Sequence, residues 1–168
     1  RVPIEEQQYL FLAGLLHDVG ILVYDQYFNE EFKQIVEDAM RNEQTFLAAE
    51  RRIASRETHA KIGGALLEIW KMDPYIISGV RFHHDHARAP ELHRRIAEIT
   101  CLSEHIANTR LGSFEGNEGT VDEDLFTSLD ICADNFESMV QKVDEEMEKS
   151  NLFAAMGISQ GNSALRMI

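Results

Sequence analysis

Apolar residues recur at the three- and four-residue spacing of amphipathic helices along most of the chain. The first run extends from Ile4 to about Tyr27, and its apolar face is wide enough to predict a central helix. Asn29 predicts the cap of the next helix, and Asp73-Pro74 has the cap-then-proline order of a helix start. The later helices are predicted at about 29–39, 44–54, 58–71, 73–84, 90–111, 122–132 and 133–149.

The fold class follows from this helical spacing. No alternating run bounded by Asn-Gly or Asp-Gly turns indicates a strand, so an all-α, compact multi-helix domain is predicted. The clearest loop is residues 112–120. It separates a helical core, residues 1–112, from an acidic C-terminal extension, residues 113–168, which we expect to pack on the same domain. The apolar tail from Asn151 is interrupted by glycines.

The net negative charge of the chain limits the kinds of partner that it can bind directly. The formal charge is −13, and residues 113–150 hold twelve of the 29 acidic residues but two of the 16 basic ones. Direct binding to nucleic acid or to an anionic membrane surface is disfavoured, because both need Lys and Arg.

The chain shows no export signal. The start RVPIEEQQ is acidic, no run approaches 18 apolar residues, and a cytoplasmic location is expected. The first residue is not Met, so we expect a piece of a longer chain. Cys101 and Cys132 lie in apolar helical patterns, which predicts buried free thiols.

The candidate functional residues are mainly histidines. His17-Asp18 lies in the most apolar predicted helix, where a carboxylate is costly unless it is paired, hydrogen-bonded or metal-bound. A buried polar pair satisfied by its neighbours is the alternative. His59 and His83-His84 lie on other helices, and together they have the pattern of a site built where helices pack. Three further histidines read as surface residues, namely His86, His93 and His105.

Other polar and aromatic residues are interpreted as structural. Trp70 is predicted to be a core or interface anchor. Basic pairs occur at Arg51-Arg52 and Arg94-Arg95, where an anion site competes with the favoured interpretation of solvated, ion-paired helix faces. The expected acidic partners are Glu50, Glu91 and Glu98.

Three segments resemble a known family. LLHDVG is similar to the motif of HD-superfamily phosphohydrolases, and THAKIGGALLEIWKMDPYIISGVRFHHDH resembles the HDOD branch of that superfamily. AEITCLSEHIA looks like the later helix on which the superfamily places its last Asp. The resemblance covers roughly residues 9–112 and implies an HD-superfamily helical domain in a bacterial protein.

In catalytic relatives the corresponding residues bind one or two metal ions, which activate water for attack on a phosphate ester. The resemblance implies a site for divalent Fe, Mn, Zn or Ni, and it also allows a site without metal. In an enzyme, Asp18 would be the catalytic residue. The ligands implied here are His17, Asp18, His59, His83, His84 and Glu104.

This chain departs from the catalytic pattern in its chemistry. The family's earliest ligand lies on a helix well upstream of the HD pair, and only sixteen residues precede His17, so we expect that ligand to lie outside this sequence or to be lacking. Ile21 occupies the position of a phosphate-binding Lys, and HHDHARAP replaces the GYP segment. Glu104 stands near the late Asp but is one methylene longer. The Pro after Trp70 also comes one position later than the family pattern.

The resemblance leaves three hypotheses of function. The first is a non-catalytic regulatory or output domain of bacterial signal transduction, whose partners would be other signalling proteins, fused signalling domains or a nucleotide-type ligand. The second is a metal-dependent phosphohydrolase that acts on a nucleotide or cyclic dinucleotide. The third is a metal-bearing sensor without hydrolysis. The oligomeric state does not follow from the sequence.

Overall fold

The computed structural model describes residues 4–111 and 123–149. Within those ranges the chain forms nine α-helices, two short 3-10 turns and no strand, which confirms the all-α prediction. The helices are α1 (Ile4–Leu16), α2 (Val19–Tyr27), α3 (Asn29–Arg41), α4 (Phe46–Ile53), α5 (His59–Ile69), α6 (Pro74–Phe82), α7 (Arg94–Leu111), α8 (Glu123–Ser128) and α9 (Ala133–Lys149). The predicted loop at 112–120 and the tail from Asn151 lie outside the described residues.

The chain divides into two compact units, residues 1–125 and 126–168. In the second unit, the ring of Phe126 packs edge-to-face on that of Phe136 from α9, with 5.1 Å between the ring centroids. Val140 on α9 is buried, while most of the acidic residues of that helix are exposed. None of the helices in the described residues is long and apolar enough to cross a membrane.

The prediction of one continuous helix from Ile4 to Tyr27 is wrong. The structure ends α1 at Leu16 and starts α2 at Val19, so His17 and Asp18 form the turn between them. The physical reason is packing, because α1 contacts α6 and α7 whereas α2 contacts α5 and α3. Because the helix breaks at His17 and Asp18, the apolar residues of α1 can pack on α6 and α7 while those of α2 pack on α5 and α3.

The first unit contains two apolar clusters, and α5 connects them. One cluster joins α1, α5, α6 and α7 and consists of Ala13, Leu67, Ile76, Ile77, Val80 and Ile96. The other joins α2, α3 and α4 and consists of Tyr24, Ile35, Ala39, Phe46 and Ala49. At the start of α5, the ring of His59 packs on that of Phe46, with 5.9 Å between their centroids. Leu67, near the other end of α5, belongs to the first cluster.

Glycines allow helices of the first unit to approach one another closely. A Cβ on Gly20 of α2 would lie 2.0 Å from the carbonyl oxygen of His59 and 2.9 Å from the backbone nitrogen of Gly63. A Cβ on Gly64 would lie 2.7 Å from Nε of Arg81, so this glycine lets α6 and its arginine lie across α5. Gly63 and Gly64 thus form a close-packing surface on α5.

The residues predicted to begin helices are confirmed in part. The Asp73 carboxylate accepts a hydrogen bond from the Tyr75 backbone N–H at 2.8 Å, and Pro74 is the first residue of α6, as predicted. Asn29 is not the cap of α3 but its first residue, and its side chain donates to the Asp25 carbonyl of α2. Pro90 begins a 3-10 turn, Glu91–His93, before α7 starts.

Trp70 is 54% exposed, so it is not a core residue, and the alternative of an interface anchor stays a prediction. The two cysteines predicted to be buried also lie nearer the surface. Cys132 is exposed and Cys101 is half-buried. Trp70, Cys101 and Cys132 each lie at a helix end or at the edge of the apolar face of a helix. At such positions the spacing of apolar residues does not distinguish a buried side chain from a partly exposed one.

We predict that Gly20→Ala lowers the free energy of unfolding by about 2 to 3 kcal/mol, because the new Cβ collides with backbone that cannot rotate away. Urea unfolding followed by circular dichroism measures the change. The control is Gly14→Ala, since nothing lies within 4 Å of that position, and helix propensity should raise the stability by up to about 1 kcal/mol. Equal stability of Gly20→Ala and the parent protein would contradict the α2–α5 contact.

Candidate metal centre

His59 is held by a buried carboxylate. Glu50 on α4 and His59 at the start of α5 both have side chains with no solvent exposure. One Glu50 oxygen accepts the His59 backbone N–H at 2.6 Å, and the other faces Nδ1 of the ring at 2.9 Å. Because Nδ1 faces an acceptor, it carries the proton, and Nε2 presents a lone pair.

His83 and His84 at the end of α6 are oriented in the same sense. Nδ1 of His83 donates to the Val80 carbonyl at 2.6 Å. Nδ1 of His84 faces a Glu104 oxygen of α7 at 3.6 Å. Each ring therefore turns its Nδ1 toward an oxygen and its Nε2 toward the centre.

The three Nε2 atoms converge. His59 Nε2 lies 3.4 Å from His83 Nε2 and 3.1 Å from His84 Nε2. Two imidazole ligands of one tetrahedral metal, at about 2.05 Å from it, are about 3.3 Å apart, so these separations fit a shared ion. In the described residues, these three side chains place one ligand atom each within 4.8 Å of the others.

Asp18 supplies an oxygen to the same centre. Its Oδ1 lies 3.7 Å from His59 Nε2 and 3.8 Å from His83 Nε2, and it is buried without a hydrogen-bond partner. A buried carboxylate oxygen left unsatisfied is costly.

His17 is placed differently from the other histidines. Its Nδ1 lies 2.7 Å from the Gly14 carbonyl and its Nε2 lies 3.0 Å from Asp18 Oδ2. Both ring nitrogens face acceptors, which is the environment of a protonated imidazole. His17 therefore orients Asp18, so that Oδ1 remains for the centre.

The pKa shifts agree with this division of roles. Burial alone would lower the pKa of His17, but the hydrogen bond and charge of Asp18 outweigh it and raise the pKa to about 9. Burial would raise the pKa of Asp18, and the hydrogen bond and charge of His17 lower it instead. Burial, reinforced by the neighbouring histidines, lowers the pKa of His83 and brings that of His84 to about 2. His83 and His84 are thus neutral imidazoles at physiological pH.

The donor set fits a divalent transition metal. A cation among the three Nε2 atoms would take a lone pair from each ring, and Asp18 Oδ1, which lies 3.7 and 3.8 Å from two of these atoms, would bring negative charge close to it. Three imidazoles and a carboxylate are ligands that Zn, Fe, Mn and Ni accept.

Of the residues singled out in the sequence, the structure brings four to the centre, namely Asp18, His59, His83 and His84. Glu104 lies on the Nδ1 side of His84 and also accepts from Asn108 at 3.5 Å, so it is not among the converging Nε2 atoms. Glu50 was expected to pair with the arginines of its own helix, which is wrong. The burial of Glu50 could have been predicted from the sequence, because Glu50 follows Phe46 by four residues and so lies on the same buried face of α4.

One arginine of each basic pair has a partner other than the expected one. Arg52 pairs with Asp38 of α3, and Arg95 lies 3.7 Å from Glu6 of α1. His93 is half-buried rather than exposed, with its Nδ1 3.0 Å from the hydroxyl of the buried Ser78. These partners come from other helices, which spacing within one helix does not reveal.

Fold and site together define a class: an all-α domain with a histidine cluster buried where helix ends meet. The chain belongs to the HDOD domain family, whose family model matches residues 1–86.

Two further similarities are informative. An uncharacterized protein of Treponema pallidum (strain Nichols) is 33% identical over 94 residues, which are 55% of this chain and 18% of that protein. The chain thus spans less than a fifth of that relative. The crystal structure of an HDOD domain protein of unknown function from Geobacter sulfurreducens aligns with a TM-score of 0.66 and 22% identity. It covers 92% of this chain and 54% of the other, and it supports the fold alone.

We predict that the stability of metal-free protein falls by about 2 kcal/mol as the pH rises from 6.5 through about 9. The folded-state pKa of His17 lies above its unfolded value of 6.5. The stabilisation by its pair with Asp18 is therefore complete below pH 6.5 and is lost as the pH rises through the folded-state value. Urea unfolding at fixed ionic strength across this range measures it.

Asp18→Asn should flatten this decline, because the histidine loses its charged partner. Asp25→Asn, on the exposed side of the same region, should leave it unchanged. Parallel curves for the parent protein and Asp18→Asn would show that the pair is not the cause.

Proposed function

We propose that this chain is a regulatory domain of bacterial signal transduction that binds a divalent transition metal and acts through binding rather than hydrolysis. The observation that carries the proposal is the convergence of three Nε2 lone pairs with the unsatisfied Asp18 Oδ1. The regulatory role comes from HDOD family membership, since such domains are associated with signalling proteins and with fused signalling domains.

Metal binding suits regulation because the ligands stand on separate elements. Asp18 lies between α1 and α2, His59 opens α5, and His83 and His84 follow α6. A bound ion would supply positive charge and fixed bonds between these helix ends. Binding to the folded state alone stabilises it by RT ln(1 + [metal]/Kd), so occupancy would change how firmly the helix ends are held together.

Two features support binding over hydrolysis. Ile21, at the position where catalytic relatives have Lys, packs against the apolar cluster of α2, α3 and α4. Glu104, the counterpart of the late Asp, lies against the Nδ1 side of His84 and not among the converging Nε2 atoms.

A second candidate function is metal-dependent phosphodiester hydrolysis, and one observation favours it. Asp18 and Glu104 line a cavity of about 370 Å³ that could admit a substrate to the centre. Turnover of a cyclic dinucleotide by the metal-loaded protein, abolished by Asp18→Asn, would establish hydrolysis and overturn the non-catalytic role.

We predict that the purified protein contains about one divalent transition-metal ion per chain, and that His84→Ala lowers the affinity for it by more than about 100-fold. Glu50→Gln should lower the affinity by about 10- to 100-fold, because an amide cannot accept both His59 N–H groups. Elemental analysis and competition with a chelating dye measure content and affinity.

The matched control is His86→Ala, since this half-buried histidine lies two residues beyond His84 and outside the cluster. It should bind metal as the parent protein does. Circular dichroism verifies that each variant is folded. Folded parent protein without metal, or an equal loss of metal in His86→Ala, would contradict the proposed centre.

A further inference from the structure

A second cavity adjoins the histidine cluster on the side of His84. Its volume is about 450 Å³, within the range of small-molecule sites. It lies among α4, the start of α5, the end of α6 and the 3-10 turn His86–Arg88. His84 is the ring that the cavity shares with the cluster.

The lining of this cavity is basic in a strongly acidic protein. The chain has 16 Lys and Arg against 29 Asp and Glu, whereas the lining has four bases and two acids. The bases are Arg51, Lys61, Arg81 and Arg88, and the acids are Glu57 and Asp85. Basic residues outnumber acidic ones in this cavity, whereas acidic residues outnumber basic ones in the whole chain. This local excess of positive charge favours an anionic ligand.

The existing partners of Lys61, Arg81 and Arg88 leave these three bases capacity for an anion. Lys61 pairs with Glu57 at 2.6 Å and Arg88 with Asp85 at 3.3 Å, and all four of these side chains are at least 45% exposed. Exposed pairs of this kind contribute little to stability, so a ligand can compete with them. Arg81 uses Nη1 for Glu68 at 2.7 Å, and a guanidinium has five N–H donors.

The wall of the cavity is apolar where it enters the protein. Leu47 and Ala60 are buried, and Phe82 is half-buried. A bare inorganic anion would gain nothing from the exposed part of Phe82, whereas an organic group attached to the anion would cover it.

From this combination we infer that the cavity binds a small organic phosphate. Its phosphoryl group would be held by Arg51, Lys61 and Arg81, and its organic part would lie on Phe82. Guanidinium groups match the phosphoryl geometry through paired hydrogen bonds. The bases belong to the protein itself, so the inference does not depend on the proposed metal and goes beyond it.

Calorimetric titration with phenyl phosphate tests the inference on protein dialysed against a chelator, so that phosphate binding to a metal cannot contribute. We expect saturable binding that is tighter than that of inorganic phosphate and weakens as salt increases. Lys61→Gln and Arg51→Gln should each weaken it by about tenfold.

The matched control is Lys33→Gln, which removes a lysine of similar exposure (57% against 48% for Lys61) that is ion-paired on its own helix and lies away from the cavity. It should leave the affinity unchanged. The inference is overturned if phenyl phosphate does not bind, if inorganic phosphate binds as tightly, or if Lys33→Gln weakens binding as much as Lys61→Gln does.

Discussion

The hydrogen bonds between Glu50 and His59 determine the direction of the ring on which the centre is built. A carboxylate without solvent exposure is tolerated only if its oxygens are satisfied, and Glu50 uses both on one residue. The backbone of His59 is fixed by the first bond and its ring by the second. The approach of Gly20 to the same backbone then brings α2, and with it Asp18, to the cluster.

This arrangement concentrates polar groups between two apolar clusters. His59 packs on Phe46 of one cluster, and the residues after α6 meet it from the side of the other. A site of this kind has little freedom to relax when a group is removed, because its neighbours are helix ends held by packing. A cation at the converging Nε2 atoms would therefore act on the relative positions of α2, α5 and α6, which is a physical basis for regulation by binding.

Much of this structure could be predicted from the sequence. The helical spacing gave the class of fold, and the LLHDVG and HHDH segments indicated three of the four side chains that meet, with His59 from the small-residue helix as the fourth. The turn at His17-Asp18 could not be predicted, because it depends on α1 and α2 packing on different neighbours. Glu50 was missed because its role depends on the turn that brings α4 to the start of α5. The basic cavity draws on residues from several elements, and no single stretch of sequence displays its charge.

We propose that the Nε2 atoms of His59, His83 and His84 and the carboxylate of Asp18 bind one ion. X-ray absorption spectroscopy of the zinc-loaded protein can identify the ligands. We expect a first shell of three imidazole nitrogens and one carboxylate oxygen at about 2.0 to 2.2 Å, with one imidazole fewer in His84→Ala. A shell of oxygen or sulfur ligands without imidazole scattering, or a spectrum unchanged in His84→Ala, would contradict it.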